Sequence, residues 1–281
     1  MENTEKELKE LVRQKYNQIA LQDKEINQAS CCGASCCSDE VYNIMCDDYN
    51  ELQGYNPDAD LGLGCGLPTQ FAKIKPGDTV IDLGSGAGND CFIARAETGE
   101  SGKVIGIDFT EAMIAKARIN AEKLDYNNVD FRYGDIEQMP VASDIADVVV
   151  SNCVLNLVPN KNGVFKEIQR VLKPGGHFSI SDIVLIGALP DALQKDAEMY
   201  AGCVAGAIQK SDYLKLIADN GFGNIAIQKE KPIIVPDDIL NKYLDAGELN
   251  RFKTGDTGIF SITVYAEKPL PKACCDPGCC S

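Results

Sequence analysis

The stretch VIDLGSGAGND, residues 80–90, decides the fold. Residues 79–83 form a short apolar run that reads as a strand, and glycines at 84, 86 and 88 follow at once. Alternate glycines permit positive φ and let a ligand approach the backbone closely. A helix is expected from near Asn89. The next apolar run, KVIGID at 103–108, ends on Asp108, 20 residues beyond Gly88. An acid at that place can accept both hydroxyls of a ribose. The plain alternative, glycines that only make a tight turn, leaves the spaced acid unaccounted for.

Working outward, the pattern continues as alternating helix and strand. Residues 110–124 read as a strong helix opened by Thr110, 129–135 as a third strand and 146–154 as a fourth. The unbroken apolar run of the fourth suits a strand covered on both faces. A helix at 162–172 is stopped by Pro174-Gly175-Gly176, and 177–185 is a fifth strand. This order implies an α/β fold with a doubly wound, mainly parallel sheet. Beyond about residue 187 the pattern weakens. Residues 191–220 look helical, and 223–234 and 258–267 read as strands that either extend the sheet edge or cover its ligand-binding mouth. At the start, Leu8, Leu11, Val12 and Tyr16 keep the spacing of a short amphipathic helix. The expected units are a cysteine-containing extension at 1–60, a nucleoside-binding domain at 61–187, a C-terminal accessory region at 188–269 and a cysteine-rich tail at 270–281.

The loop chemistry narrows the ligand. A dinucleotide fingerprint is G-x-G-x-x-G, whereas here the third glycine comes one residue early and Asn89 takes the sixth place. No basic residue sits in the loop, and Asp82 and Asp90 flank it. That charge suits a cation rather than a diphosphate. S-adenosylmethionine carries an ammonium, a sulfonium and a ribose, and no phosphate. Asp82 with Gly84, Ser85, Gly86, Gly88 and Asn89 can hold its amino-acid end, and Asp108 its ribose. Gly134, Asp135 and Ile136 end the third strand, where Asp135 can take the adenine amine or stand as a solvated strand-end acid. Asn152 is at the same mouth; Asn156 lies nearby and reads equally well as a local cap.

The 281 residues carry a net charge of −15, which argues against a protein that grips a nucleic-acid backbone. No apolar run is long enough to span a membrane. Residues 1–15 lack the apolar core of an export signal, so a reducing, cytoplasmic setting is expected. Oligomeric state is unmarked, and a monomer is the default. The 13 cysteines then need a reason other than structural disulfides. Cys91, inside the first helix of the nucleoside-binding unit, reads as packing, and Cys46 has no assignment. Cys65 lies between glycines in LGLGCGLP, Cys153 follows Asn152 at a strand end, and Cys203 sits in the small-residue run YAGCVAG. All three can meet above the sheet, where open α/β folds bind ligands. Zinc is a weaker reading, because His177 is the one histidine and no spaced C-x-x-C framework exists. CCGASCC at 31–37 and CCDPGCC at 274–280 stand apart as paired thiols, either dispensable extensions or collectors of soft metal species.

The block 79–135 resembles the class I S-adenosylmethionine-dependent methyltransferases, which implies a Rossmann-like sheet and a cofactor held by the glycine loop, Asp108-Phe109 and Met113. The cysteine contexts are more specific. GLGCGLP (62–68), GIDFTEAMIAKA (106–117), SNCVLNLVPNK (151–161), VLKPGG (171–176) and YAGCVAGA (200–207) closely resemble arsenite methyltransferases, over about residues 40–267. The resemblance implies that Cys65, Cys153 and Cys203 ligate trivalent arsenic. It also implies that an upstream cysteine, Cys37 or Cys36, joins the first round and a disulfide relay. S-adenosylhomocysteine would be the product, and thioredoxin or glutathione the reductant. Some members carry an aromatic residue two positions before the Cys65 equivalent; here it is Leu63. A C- or O-methyltransferase of the same fold and a noncatalytic thiolate sequestering protein are the competing readings.

Overall fold

The computed structural model describes residues 2–21, 48–188, 190, 206–234, 237–242, 244–255 and 257–271. Seven strands are β1 (Thr79–Leu83), β2 (Lys103–Asp108), β3 (Val129–Tyr133), β4 (Ala146–Asn152), β5 (Leu172–Ile186), β6 (Gly223–Ile233) and β7 (Gly258–Glu267). They form one sheet in the order β3-β2-β1-β4-β5-β7-β6. The pairs from β3 to β5 are parallel, and β7 runs antiparallel to both β5 and β6. The order reverses beside β1, the place where an open α/β sheet makes room for a ligand. The expected class I methyltransferase architecture is therefore present, and strands from either side of residue 187 share the sheet.

The described helices are α1 (Glu2–Leu21), α2 (Pro68–Phe71), α3 (Asn89–Thr98), α4 (Glu111–Lys123), α5 (Lys161–Val171), α6 (Lys210–Asp219), α7 (Asp237–Leu240) and α8 (Ala246–Thr254). The central strands bury both faces, as their continuous apolar runs require. One face packs Ile81, Val149, Phe178 and Ile180 against Val164, Phe165 and Ile168 of α5 and Tyr213 and Ile217 of α6. The other packs Val80, Val104 and Val148 against Cys91 and Phe92 of α3, Met113 and Ala117 of α4, and Ile19 and Ala20 of α1. Helix α1 is longer than the 8–16 pattern indicates, and it buries Val12, Ile19 and Ala20.

Two boundaries differ from the sequence reading for physical reasons. β5 begins at Leu172 and runs through Pro174-Gly175-Gly176 instead of starting at His177. Gly175 takes φ +82, its N–H bonds to Lys268 O at 2.9 Å, and the register against β4 shifts between Ala146 and Val148. The glycines thus make a bulge within the strand. β4 stops at Asn152 because Cys153 adopts φ +59, a left-handed conformation that few side chains tolerate. Residues 191–205 of the expected 191–220 helical segment lie outside the described residues; α6 covers its last part.

Candidate active site

At the carboxyl ends of β1, β2 and β4 lies a cavity walled by the glycine loop, the ends of the strands and α1. Of the residues expected at a cofactor, Asp82, Gly84, Ser85, Gly86, Asn89, Asp108, Phe109, Met113, Asp135, Ile136 and Asn152 line it. Gly88 and Gly134 do not. A Cβ on Gly88 would lie 2.8 Å from Phe131 and 2.9 Å from Phe92, so this glycine permits α3 to pack on the aromatic core. Gly134 lies against Pro140. Lining residues that periodicity did not single out include Lys9, Tyr49 and Asp60, and Tyr16 of the amphipathic pattern lines it too.

The acids are held apart by different partners. Asp108 accepts N–H bonds from Gly86 at 3.0 Å and Thr110 at 2.8 Å. Burial nevertheless raises its pKa above the ordinary carboxylate value, those N–H groups pulling it back. Asp82, 2% exposed, accepts a hydrogen bond from the Cys91 thiol at 3.2 Å. Cys91 packs as expected from its place in α3, and it also has this polar role. Burial holds the Asp82 carboxyl well above the usual range, the nearby Asp90 carboxylate adding to the shift. Asp90 itself is pushed up to about 6 by burial, against hydrogen bonds from Asn152 and Tyr49. Asp135 is more open: Lys9 of α1 reaches it at 2.7 Å and Glu137 at 2.5 Å. Asn156 donates to Ile183 O at 2.7 Å, pinning β5 rather than capping its own turn.

Next to the cavity, Cys65 and Cys153 fall in one buried cluster with Leu157, Ile183, Leu185 and Ala207. Each thiol-bearing backbone is anchored to the sheet. The Cys65 N–H donates to Asn152 Oδ1 at 3.0 Å, and its carbonyl accepts from Ser261. The Cys153 N–H donates to Ser181 O at 2.8 Å. Leu240 and Leu244 cover the cluster, with Leu249 and Phe252 of α8 packed beside them. Cys203 and Cys37, together with Cys36, Cys46 and both paired clusters, lie outside the described residues. Among the described residues no group of three or more His, Cys, Asp or Glu side chains forms a metal centre.

Comparison with known proteins fits this arrangement. A family profile described as "Methyltransferase domain" matches residues 74–221. The arsenite methyltransferase of Halobacterium salinarum is 42% identical, over 94% of this chain and 67% of that protein. The arsenite methyltransferase of Aquipseudomonas alcaligenes is 31% identical, over 96% and 75%. The chain belongs to the arsenite methyltransferase family. The crystal structure of an arsenic(III) S-adenosylmethionine methyltransferase from Chlamydomonas reinhardtii superposes with a TM-score of 0.63 at 33% identity, covering 74% of this chain and 68% of that one.

An arsenite methyltransferase needs a place for S-adenosylmethionine, and the cavity offers one. Ser85 Oγ, Asn89 Oδ1 and Asp90 Oδ1 are buried and have no hydrogen-bond partner among the described residues. Buried polar atoms are rarely left so, and a polar ligand at this wall would satisfy them. At Gly86, φ +50, an added Cβ would meet nothing nearer than Met113 Sδ at 4.0 Å, so the backbone is open to the cavity. Among the charged residues that line it, Asp60, Asp82, Asp90, Asp108 and Asp135 outnumber Lys9, a balance that suits a cation. No described helix of this methyltransferase is long and apolar enough to cross a membrane.

Proposed function

We propose that this protein transfers methyl groups from S-adenosylmethionine to trivalent arsenic held by Cys65, Cys153 and Cys203. The observation that carries the reading is the burial of Cys65 and Cys153 in one apolar cluster beside an acid-lined cavity. When bound, S-adenosylmethionine supplies an electrophilic methyl group on a sulfonium whose leaving group is a neutral thioether. Asp82 and Asp90 would hold its ammonium, the loop at Gly84, Ser85, Gly86 and Asn89 its amino-acid end, and Asp108 its ribose. Phe109, Met113 and Ile136 would wall the adenosine, with Asp135 at the adenine edge.

Trivalent arsenic is soft and prefers thiolate sulfur. Arsenite brings three hydroxyl groups. Each can leave as water with one thiol proton, so ligation by three cysteines consumes no external base. Three sulfurs on one side leave the arsenic lone pair on the other, and fixing that direction is the main catalytic task. The backbone anchors at Cys65 and Cys153 serve it, and the apolar cluster excludes water. Gain of a methyl group leaves arsenic formally pentavalent. Two thiols can return two electrons to it and become a disulfide. Cys37 or Cys36 would join that exchange, and thioredoxin or glutathione would reduce the disulfide. The reaction then belongs in a reducing, cytoplasmic setting, with the protein working as a monomer. The paired thiols at 31–37 and 274–280 would collect soft arsenic species.

The test is to incubate reduced protein with arsenite, S-adenosylmethionine and a thiol reductant, and to separate the arsenic species. Methylated arsenic from the wild type, lost in Cys65→Ser, Cys153→Ser and Cys203→Ser, is expected. Folded, reduced protein that binds arsenite without consuming S-adenosylmethionine would instead mark a sequestering protein.

A further inference from the structure

The cofactor cavity and the Cys65 segment share one side chain. Asn152 Oδ1 accepts the Cys65 N–H at 3.0 Å, and Asn152 Nδ2 donates to Gly66 O at 2.8 Å. A backbone N–H can only donate and a carbonyl only accept, so these partners fix the orientation of the amide. Asn152 therefore clamps the main chain on both sides of the Cys65 thiol. An added Cβ on Gly64 would meet Asn152 Nδ2 at 2.7 Å, so the segment lies directly on this amide.

The clamp is itself held from the cavity side. Asn152 Nδ2 donates to Tyr49 Oη, and Tyr49 Oη lies 3.1 Å from Asp90 Oδ2. Asn152 Nδ2 also lies 3.2 Å from Asp90 Oδ2, and Tyr49 Oη 3.1 Å from Gly66 O, so the amide, the phenol and the carboxylate form one branched network around Gly66 O. The network is buried, and Tyr49 is only 6% exposed. Asp90 spends one oxygen on it. Its other oxygen, Oδ1, is buried without a hydrogen-bond partner among the described residues, and Asp90 lines the cavity. A ligand cation that engages Oδ1 acts on the same carboxylate that accepts from Tyr49 and from the Asn152 amide beneath Cys65.

We infer that Asn152, Tyr49 and Asp90 form a positioning relay that couples the two substrate sites, so that an ammonium-bearing adenosyl ligand tightens arsenite binding. Linkage requires the reverse effect by the same factor. This inference rests on Cys65 being an arsenic ligand. Tyr49 and Asn152 act here as positioning residues that set where the Cys65 sulfur stands.

Calorimetric titration of the full, phosphine-reduced chain with arsenite tests it. The titration is made alone, with saturating S-adenosylhomocysteine, and with 5′-methylthioadenosine, which lacks the amino-acid end. No methyl is available, so binding is read without turnover. Couplings between sites usually span about 5- to 150-fold. The wild type should bind arsenite at least about 5-fold tighter with S-adenosylhomocysteine and be unmoved by methylthioadenosine. Tyr49→Phe keeps the ring against Leu67 and Ile93 and removes only the hydroxyl. Its ratio should fall, with part of it kept by the direct Asn152–Asp90 contact. Asn152→Ala should abolish the ratio, while Asn152→Asp, which keeps the acceptor for Cys65, should retain part of it. A merely structural defect would weaken every titration and leave the ratio intact. A wild-type ratio of unity, or an undiminished ratio in a folded Tyr49→Phe, overturns the relay. Arsenite affinity unchanged by Cys65→Ser overturns the ligand assignment instead, and the relay with it.

Discussion

Replacing Asp182 with asparagine should make the protein more stable at pH 8 than it makes it at pH 5. Asp182 is fully buried on β5, on the face that carries Ile180 and Val184 into the core. Its carboxyl accepts from the Ile183 N–H at 2.9 Å and from Tyr213 Oη at 3.3 Å. Burial pushes its pKa from 3.8 up to about 7, with Lys161, Ile183 and Tyr213 opposing the rise. The fold thus favours the neutral acid. Stability is unaffected below the unfolded value, falls as pH rises through the interval, and levels off above the folded value. Three pKa units at about 1.4 kcal/mol each give a total cost of about 4 kcal/mol, of which about 2.5 kcal/mol accrues between pH 5 and 8. Asparagine keeps the acceptor and never ionises. With a urea m-value of about 3 kcal/mol/M, the Asp182→Asn midpoint should gain about 0.8 M on wild type between those pH values. Urea titrations followed by far-UV circular dichroism at constant ionic strength measure this. The comparison between the two proteins cancels the other buried acids, Asp82, Asp90 and Asp108. Midpoints that run parallel across the pH range would refute the reasoning.

Phe165 sits edge-on to Tyr213 and Phe222, with ring centroids 5.8 and 6.4 Å away, so Phe165→Ala should cost about 3–5 kcal/mol of stability by urea unfolding. Gly84 holds φ +66, and an added Cβ would lie 2.3 Å from Val154; Gly84→Ala should weaken calorimetric S-adenosylhomocysteine binding at least about tenfold, with partial recovery when Val154→Ala is added. The Lys9 ion pairs with Asp135 and Glu137 are partly exposed, so Lys9→Met should change stability by less than about 1 kcal/mol. Lys9 also lines the cavity, so the same variant should show a different salt dependence of S-adenosylhomocysteine affinity from the wild type. Equal salt slopes in both proteins would refute an electrostatic role for Lys9 at the cavity.

The parallel half of the sheet was legible because its signals are local. TVIDL, the glycine loop and Asp108 are set by neighbouring residues; the observed β1 and β2 begin and end, and α3 begins, where the pattern places them. Boundaries that depend on distant pairing were less so. The strand through Pro174-Gly175-Gly176 exists because the segment after β7 supplies the bonds at Gly175 and Gly176. Cys153 ends β4 through a backbone conformation that its side-chain type does not announce. The acids and glycines of the site were visible as residues, but their directions were not. Gly88 belongs to a loop whose other glycines face the cavity, yet it meets Phe92 and Phe131. Tyr49 stands in a polar stretch with no periodicity, 41 residues from the Asp90 it contacts. No spacing rule joins them.

Net charge shows the same division between composition and placement. Most of the described acids meet water, where screening beyond about 10 Å leaves them little influence on a ligand. Asp82, Asp90 and Asp108 differ because the fold buries them at one cavity. Their raised pKa values mean that ionising them is opposed by burial and, at Asp82, by neighbouring carboxylates. A cation in the cavity would oppose that balance, since it favours the ionised form that burial resists. Cofactor occupancy and proton release from these acids are therefore linked. The burial that makes the acids costly to ionise would also strengthen their attraction for a sulfonium and an ammonium across a low-dielectric wall. Composition alone would have predicted a diffuse attraction for cations. The sheet ends turn it into a local one, placed beside the two cysteines that the same fold buries together.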